Sequence, residues 1–114
     1  SDYNTKDGTG VRDYIHVSDL AFAHILSLEY LFDNNVNLTL NLGTQDGASV
    51  LDIVKECERI SNRKIFYKFK PRRPGDPEIL IADYKKANEI LNWTPKHSNL
   101  NRILESTWNV YKNI

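Results

Sequence analysis

Arg12, Arg72, Arg73 and Asp76 are the side chains in this sequence whose types and settings best suit a specific chemistry. A guanidinium presents a planar fork of donors that meets phosphate oxygens two at a time, and such charge-assisted bonds are stronger than neutral ones. Two arginines can therefore clamp a diphosphate. Arg12 stands at the entrance of a short β-prone run, and the second arginine arrives from Pro71-Arg72-Arg73-Pro74-Gly75-Asp76-Pro77. The prolines stiffen that loop, so less conformational entropy is lost when it closes on a ligand. Asp76, three residues beyond Arg73, can accept hydrogen bonds from sugar hydroxyls. An ion pair, Arg12 with Asp13 or Asp76 with Arg72, is the alternative that spacing leaves open, and Tyr14 reads equally as a core aromatic.

Other chemistries find fewer footholds. The three histidines, His16, His24 and His97, and the one cysteine, Cys57, have no mutual spacing that reads as a metal-ligand set. His24 reads as a core histidine, while His16 stays open between core and ligand. A single cysteine excludes an internal disulfide framework, reads as a core thiol and fits a reducing cytosol. There is no Gly-x-Ser-x-Gly elbow for a hydrolase. Gly43-Thr44-Gln45-Asp46-Gly47-Ala48-Ser49 superficially resembles a phosphate loop, but it lacks the third glycine and the lysine, so a helix-entry turn is the better reading. Fifteen basic and fifteen acidic residues give a net charge of 0, which argues against nucleic acid as a partner. No apolar run approaches the roughly 20 residues of a bilayer span, and no targeting segment is seen.

The elements that must hold these residues alternate between strands and helices, giving an α/β (α+β-like) unit of about four helices with short strands. Val11–Val17 reads as a strand. Ser18 to Phe32 reads as a helix capped by Ser18 or Asp19, its stripe being Leu20, Ala21, His24, Ile25, Leu28, Leu31 and Phe32. Asp33-Asn34-Asn35 ends it, and a strand is expected at Leu38 to Leu42. Ser49 opens a second helix with Asp52 as its capping-box partner, and Val50, Ile53, Val54, Cys57 and Ile60 face inward. Lys64 to Lys70 alternates as a strand, with Ile65, Tyr67 and Phe69 on one face and Lys68 and Lys70 on a solvated other. The proline loop can be neither helix nor central strand. Ile79 to Ala82 is a short extended piece. Asp83 then caps a third helix that stops at Trp93-Thr94-Pro95, and Ser98 starts the last, with Leu100, Ile103, Leu104, Thr107, Trp108 and Tyr111 as its stripe.

Asp7-Gly8-Thr9-Gly10-Val11-Arg12-Asp13-Tyr14-Ile15-His16-Val17-Ser18-Asp19-Leu20-Ala21-Phe22-Ala23-His24 closely resembles the DGT-x-VRDYIHV-x-DLA-x-AH signature of the UDP-glucose 4-epimerase (UDP-galactose 4-epimerase) family. Further matches follow in the family's order: Asn41-Leu42-Gly43-Thr44 with Ser49-Val50-Leu51-Asp52, the 71–77 loop, Ala82-Asp83 with Lys86-Ala87, and Leu91-Asn92-Trp93-Thr94-Pro95. Essentially the whole chain is covered. It is similar to the C-terminal third of such an enzyme, an extended short-chain dehydrogenase/reductase.

The resemblance implies that Arg12 and Arg73 contact a UDP diphosphate, that Asp76 contacts the nucleotide ribose and that Tyr14 lines the same site. It also implies interconversion of UDP-glucose and UDP-galactose: a hydride leaves C4 for bound NAD, the 4-keto sugar rotates, and the hydride returns to its other face. The family's Tyr-x-x-x-Lys and Gly-x-x-Gly-x-x-Gly are missing from this sequence. By the resemblance both belong before Ser1, with the NAD-binding Rossmann domain. Residues 1–114 are then expected to be a UDP-sugar-binding portion with no catalytic, cofactor or metal residues, inactive alone. It should expose an apolar face that the whole enzyme covers, and self-associate through it. The whole enzyme is expected to be a cytoplasmic homodimer. The alternatives are another nucleotide-sugar dehydratase or decarboxylase of that superfamily, or a non-catalytic binding module.

Overall fold

The computed structural model describes residues 2–114, and its centre is a very small mixed sheet. β1 (Val11–Arg12) lies between β2 (Ala48–Ser49) and β3 (Ile79–Leu80), antiparallel to β2 and parallel to β3. Val11 stands opposite Ser49 and Ile79, and Arg12 opposite Ala48 and Leu80. The ladder is much shorter than the Val11–Val17 expectation because side chains take over the backbone partners beyond Arg12. The Asp13 carboxylate accepts from the Thr44 N–H at 2.9 Å, the Thr44 hydroxyl at 2.6 Å and the Ala82 N–H at 3.1 Å. Further on, the His16 N–H donates to Ser98 Oγ at 2.9 Å.

Four helices surround this centre: α1 (Val17–Asn34), α2 (Val50–Ser61), α3 (Lys85–Leu91) and α4 (Leu100–Tyr111). His16, not Ser18 or Asp19, caps α1, its Nδ1 accepting from the Ser18 N–H. Ser49 and Asp52 form both halves of the capping box on α2. Tyr84 holds the cap position of α3 without a side-chain bond, while Asp83 accepts from the Lys85 N–H one residue in. Asn99 caps α4 in place of Ser98, whose hydroxyl is committed to Asp19. α1, α2 and α3 all end on an asparagine in the left-handed region, at Asn35, Asn62 and Asn92, a conformation asparagine tolerates better than most residues.

The core lies between α1 and α3. Ala23, Ala87, Leu91 and Trp93 are its buried residues, and Ile15, Leu26, Tyr30 and Tyr84 pack around them. Ala23 against Ala87 lets the two helices approach closely. This overturns the predicted stripe of α1, because the inward face carries Asp19, Ala23, Leu26 and Tyr30. Ile25, Leu28 and Phe32 lie on the opposite side, 54%, 55% and 80% exposed, and His24 is exposed with its Nδ1 on the Leu20 carbonyl. The helix is apolar on both sides, and the side with the small alanine is the one that meets α3.

Two predicted strands are absent. Leu38, Leu40 and Leu42 pack against the core from an extended segment, but no described strand lies beside them. Residues 64–70 likewise form no ladder, and Phe66, Tyr67 and Phe69 stand exposed. A strand is a pairing, not a property of its own residues. The molecule is a slab of 50 × 36 × 19 Å with a radius of gyration of 16.9 Å, against about 13 Å for a compact domain of about this length.

Candidate anion-binding site

The central strand delivers Arg12 to one face of the slab and the proline loop delivers Asp76 to meet it. Register places them: the Val11 N–H donates to the Glu78 carbonyl at 2.8 Å, which sets the end of the loop beside β1. Within the loop the Asp76 N–H donates to the Arg73 carbonyl at 3.3 Å, a turn that passes through Gly75 at φ 75°. The consequence is a three-sided contact on one carboxylate. Arg12 Nη2 donates to Asp76 Oδ1 at 2.5 Å, Arg73 Nη2 approaches Oδ2 at 3.4 Å, and the Tyr3 hydroxyl donates to Oδ2 at 2.8 Å.

The two ion pairs left open by spacing do not form. Asp13 is fully engaged by Thr44 and Ala82, so Arg12 turns to Asp76. Arg72 leaves the cleft altogether: it pairs with Asp2 at 2.7 Å and Glu78 at 3.3 Å, and its guanidinium lies 4.5 Å from the centre of the Tyr3 ring. The two arginines of the loop thus have different roles.

Arg12, Arg73, Asp76 and Tyr14 line one cleft of about 340 Å³. Lys68 and Lys70 line it too, although the sequence put them on a merely solvated face. Four cationic side chains against one carboxylate make the cleft an anion receptor by charge. The Tyr3 hydroxyl, and after it the Arg12 guanidinium, hold the Asp76 carboxyl below its ordinary range, while the same bond pushes the Tyr3 phenol up. Arg12 is the sheltered member at 25% side-chain exposure and Arg73 the open one at 85%. Tyr3 carried no local signal, since 73 residues separate it from Asp76. Lys70 had one, being next to the Pro71-Arg72-Arg73 cluster.

The Gly43–Ser49 turn does not fit a dinucleotide pyrophosphate. A Cβ on Gly43 would stand 2.5 Å from Asp13 Oδ2 and 2.6 Å from Ala82 Cβ, and one on Gly47 would stand 2.4 Å from Val11 Cγ1. These glycines make room for protein, not for a cofactor. Among the described residues no three His, Cys, Asp or Glu side chains gather to hold a metal. No described helix is long and apolar enough to cross a membrane.

A family model described as GDP-mannose 4,6 dehydratase matches residues 1–107. The chain belongs to that family. Within it, this chain is 46% identical over 112 residues to a UDP-glucose 4-epimerase of Lacticaseibacillus casei, covering 98% of itself and 34% of the relative. A solved UDP-glucose-4-epimerase from Stenotrophomonas maltophila, with bound NAD and formylated UDP-arabinopyranose, superposes with a TM-score of 0.91 at 42% identity, over 98% of this chain and 33% of that one. The Bifidobacterium longum UDP-glucose 4-epimerase, solved with NAD+ and UDP, gives 0.87 at 39% identity, again over 98% and 33%. The chain therefore spans about a third of the length of the relatives it matches, and the match falls in their C-terminal part.

Proposed function

We propose that this chain is the UDP-sugar-binding portion of a longer enzyme that interconverts UDP-glucose and UDP-galactose. Arg12 and Arg73 hold the diphosphate, Asp76 takes the ribose hydroxyls and Tyr14 lines the pocket. The observation that carries this reading is the meeting of Arg12 with Asp76 and Arg73, across 64 residues of chain, in one cationic cleft. A diphosphate that enters meets the guanidinium donors that Asp76 leaves free, so the carboxylate and the anion share the two arginines. The hydride chemistry falls to NAD, held by residues outside 1–114. The catalytic groups lie there as well, so the 114-residue chain alone is inactive. The exposed Ile25, Leu28 and Phe32 face of α1 packs onto that remaining part, and the whole enzyme works as a cytoplasmic homodimer.

Calorimetry of UDP binding to the whole protein tests the clamp. Arg12→Ala is expected to weaken UDP about ten- to a hundredfold, the range of a charge-assisted bond lost from a sheltered site. An affinity unchanged by Arg12→Ala would end the diphosphate assignment. Measurable conversion of UDP-galactose by residues 1–114 alone would overturn the placement of the catalytic groups elsewhere. The description of the matching family favours a second reading, a nucleotide-sugar 4,6-dehydratase. A 4-keto-6-deoxy product from the whole protein would establish it in place of the epimerase.

A further inference from the structure

Tyr3 lies outside the sequence-derived site, yet the fold builds it into the cleft wall. The residue is only 7% exposed, and its backbone is fixed by the Tyr3 N–H on the Gly8 carbonyl at 3.2 Å and the Thr5 N–H on its own carbonyl at 2.8 Å. The Arg72 guanidinium covers the ring at 4.5 Å and is itself pinned to Asp2 and Glu78. From this anchored position the hydroxyl donates to Asp76 Oδ2 at 2.8 Å.

We propose that Tyr3 is a positioning residue of the arginine clamp: by fixing the Asp76 carboxylate it sets where Arg12 and Arg73 stand for a nucleoside diphosphate. The proposal rests on the diphosphate reading above. Two guanidiniums on one carboxylate repel each other and can pivot about it, and Arg73 is held by only one long contact of 3.4 Å. A third, uncharged donor on Oδ2 fixes the carboxylate plane without adding to that repulsion. It also spares the cations. Of its five N–H donors Arg12 spends one on the Val11 carbonyl and one on Asp76, so the rest of the fork remains for an anion. Arg72 gives up the cleft in order to hold the ring that holds Asp76, which accounts for two adjacent arginines pointing to different partners.

The test uses the whole protein, with UDP and uridine as probes. Tyr3→Phe keeps the ring and its stacked Arg72 and removes only the hydroxyl. UDP affinity is expected to fall about tenfold while uridine, which reaches Asp76 through its ribose but lacks the phosphates that Arg12 and Arg73 hold, loses less. Because Tyr3 acts through Asp76, Tyr3→Phe should have no further effect once Asp76→Ala has removed the acceptor. Losses that add in the double variant, or equal losses for UDP and uridine, would make Tyr3 a general structural residue and overturn the proposal. If Arg12→Ala weakens UDP but Tyr3→Phe does not, the clamp stands and the role of Tyr3 falls. If neither substitution matters, the clamp itself falls and takes this proposal with it. Arg72→Ala loosens the ring from behind and serves if Tyr3→Phe does not fold. It should cost UDP affinity a few-fold, again only with Asp76 intact, and no loss there would also overturn the proposal.

Discussion

Asp19 and Asp76 each collect three donors on one carboxylate, but the donors differ in kind. Asp19, 3% exposed in the first turn of α1, accepts from the Lys96 N–H at 3.2 Å, the His97 N–H at 2.8 Å and the Ser98 hydroxyl at 2.5 Å. All three are neutral groups, two backbone N–H groups in partly buried bonds and one buried hydroxyl. Asp76 accepts from Tyr3, Arg12 and Arg73 at the wall of a cleft, and two of its three donors are full cations. The first carboxylate closes a joint between α1 and the segment leading into α4. The second holds cations that another anion can share. The same side chain makes a permanent bond or an exchangeable one according to the charge and exposure of what it gathers.

One substitution made at both places sharpens that contrast. Asp19→Asn presents an amide N–H₂ to groups that are themselves donors, leaving buried polar hydrogens unpaired. It should lower the stability of the whole protein by about 3 kcal/mol, read by urea unfolding. UDP affinity of the folded variant should not change. Asp76→Asn should do the reverse, weakening UDP about tenfold, like Tyr3→Phe, while the unfolding midpoint moves little. Equal effects of the two on stability would erase the distinction.

A third carboxylate provides the smallest test. Glu56 on α2 accepts from Arg59 at 2.6 and 3.0 Å and from Asn101 of α4 at 3.0 Å. Arg59, and next Asn101, hold its carboxyl down from 4.5 to about 2. Its folded pKa lies below the unfolded one, so its contribution is fully present above pH 4.5 and is lost as the pH falls toward 2. The stability gap between the parent and Glu56→Gln should shrink across that window in urea unfolding at stepped pH. A gap that stays constant would show that this exposed pair contributes nothing through its charge.

What could be read from the sequence was local. Ser49 and Asp52 are three residues apart and form the capping box they suggest, and the proline loop is a loop. The long, specific run around Arg12 led to the family. The face of α1 could not be read, because apolar residues stand on both sides of that helix and periodicity alone does not say which side meets α3. The strands expected at Leu38–Leu42 and Lys64–Lys70 failed for a related reason. Their alternation is present, but a ladder needs a neighbour, and no described segment supplies one. Within the site, Arg12, Arg73, Asp76 and Tyr14 do line a single cleft. Tyr3 escaped notice because its partner is 73 residues away and its own neighbours look like an ordinary turn.

The two tryptophans sit in very different surroundings. Trp93 is wholly enclosed, its indole N–H on the Asp19 carbonyl at 2.9 Å and its ring edge-on to Tyr84 at 5.8 Å. Trp108 is half-buried with the Arg63 guanidinium 5.2 Å from its ring centre. One indole is shielded from water and the other lies under a cation at the surface, so their emission should differ in colour and in access to a dissolved quencher. The protein thus carries a built-in optical gauge, whose blue, quencher-resistant component reports whether the joint at Asp19 is closed.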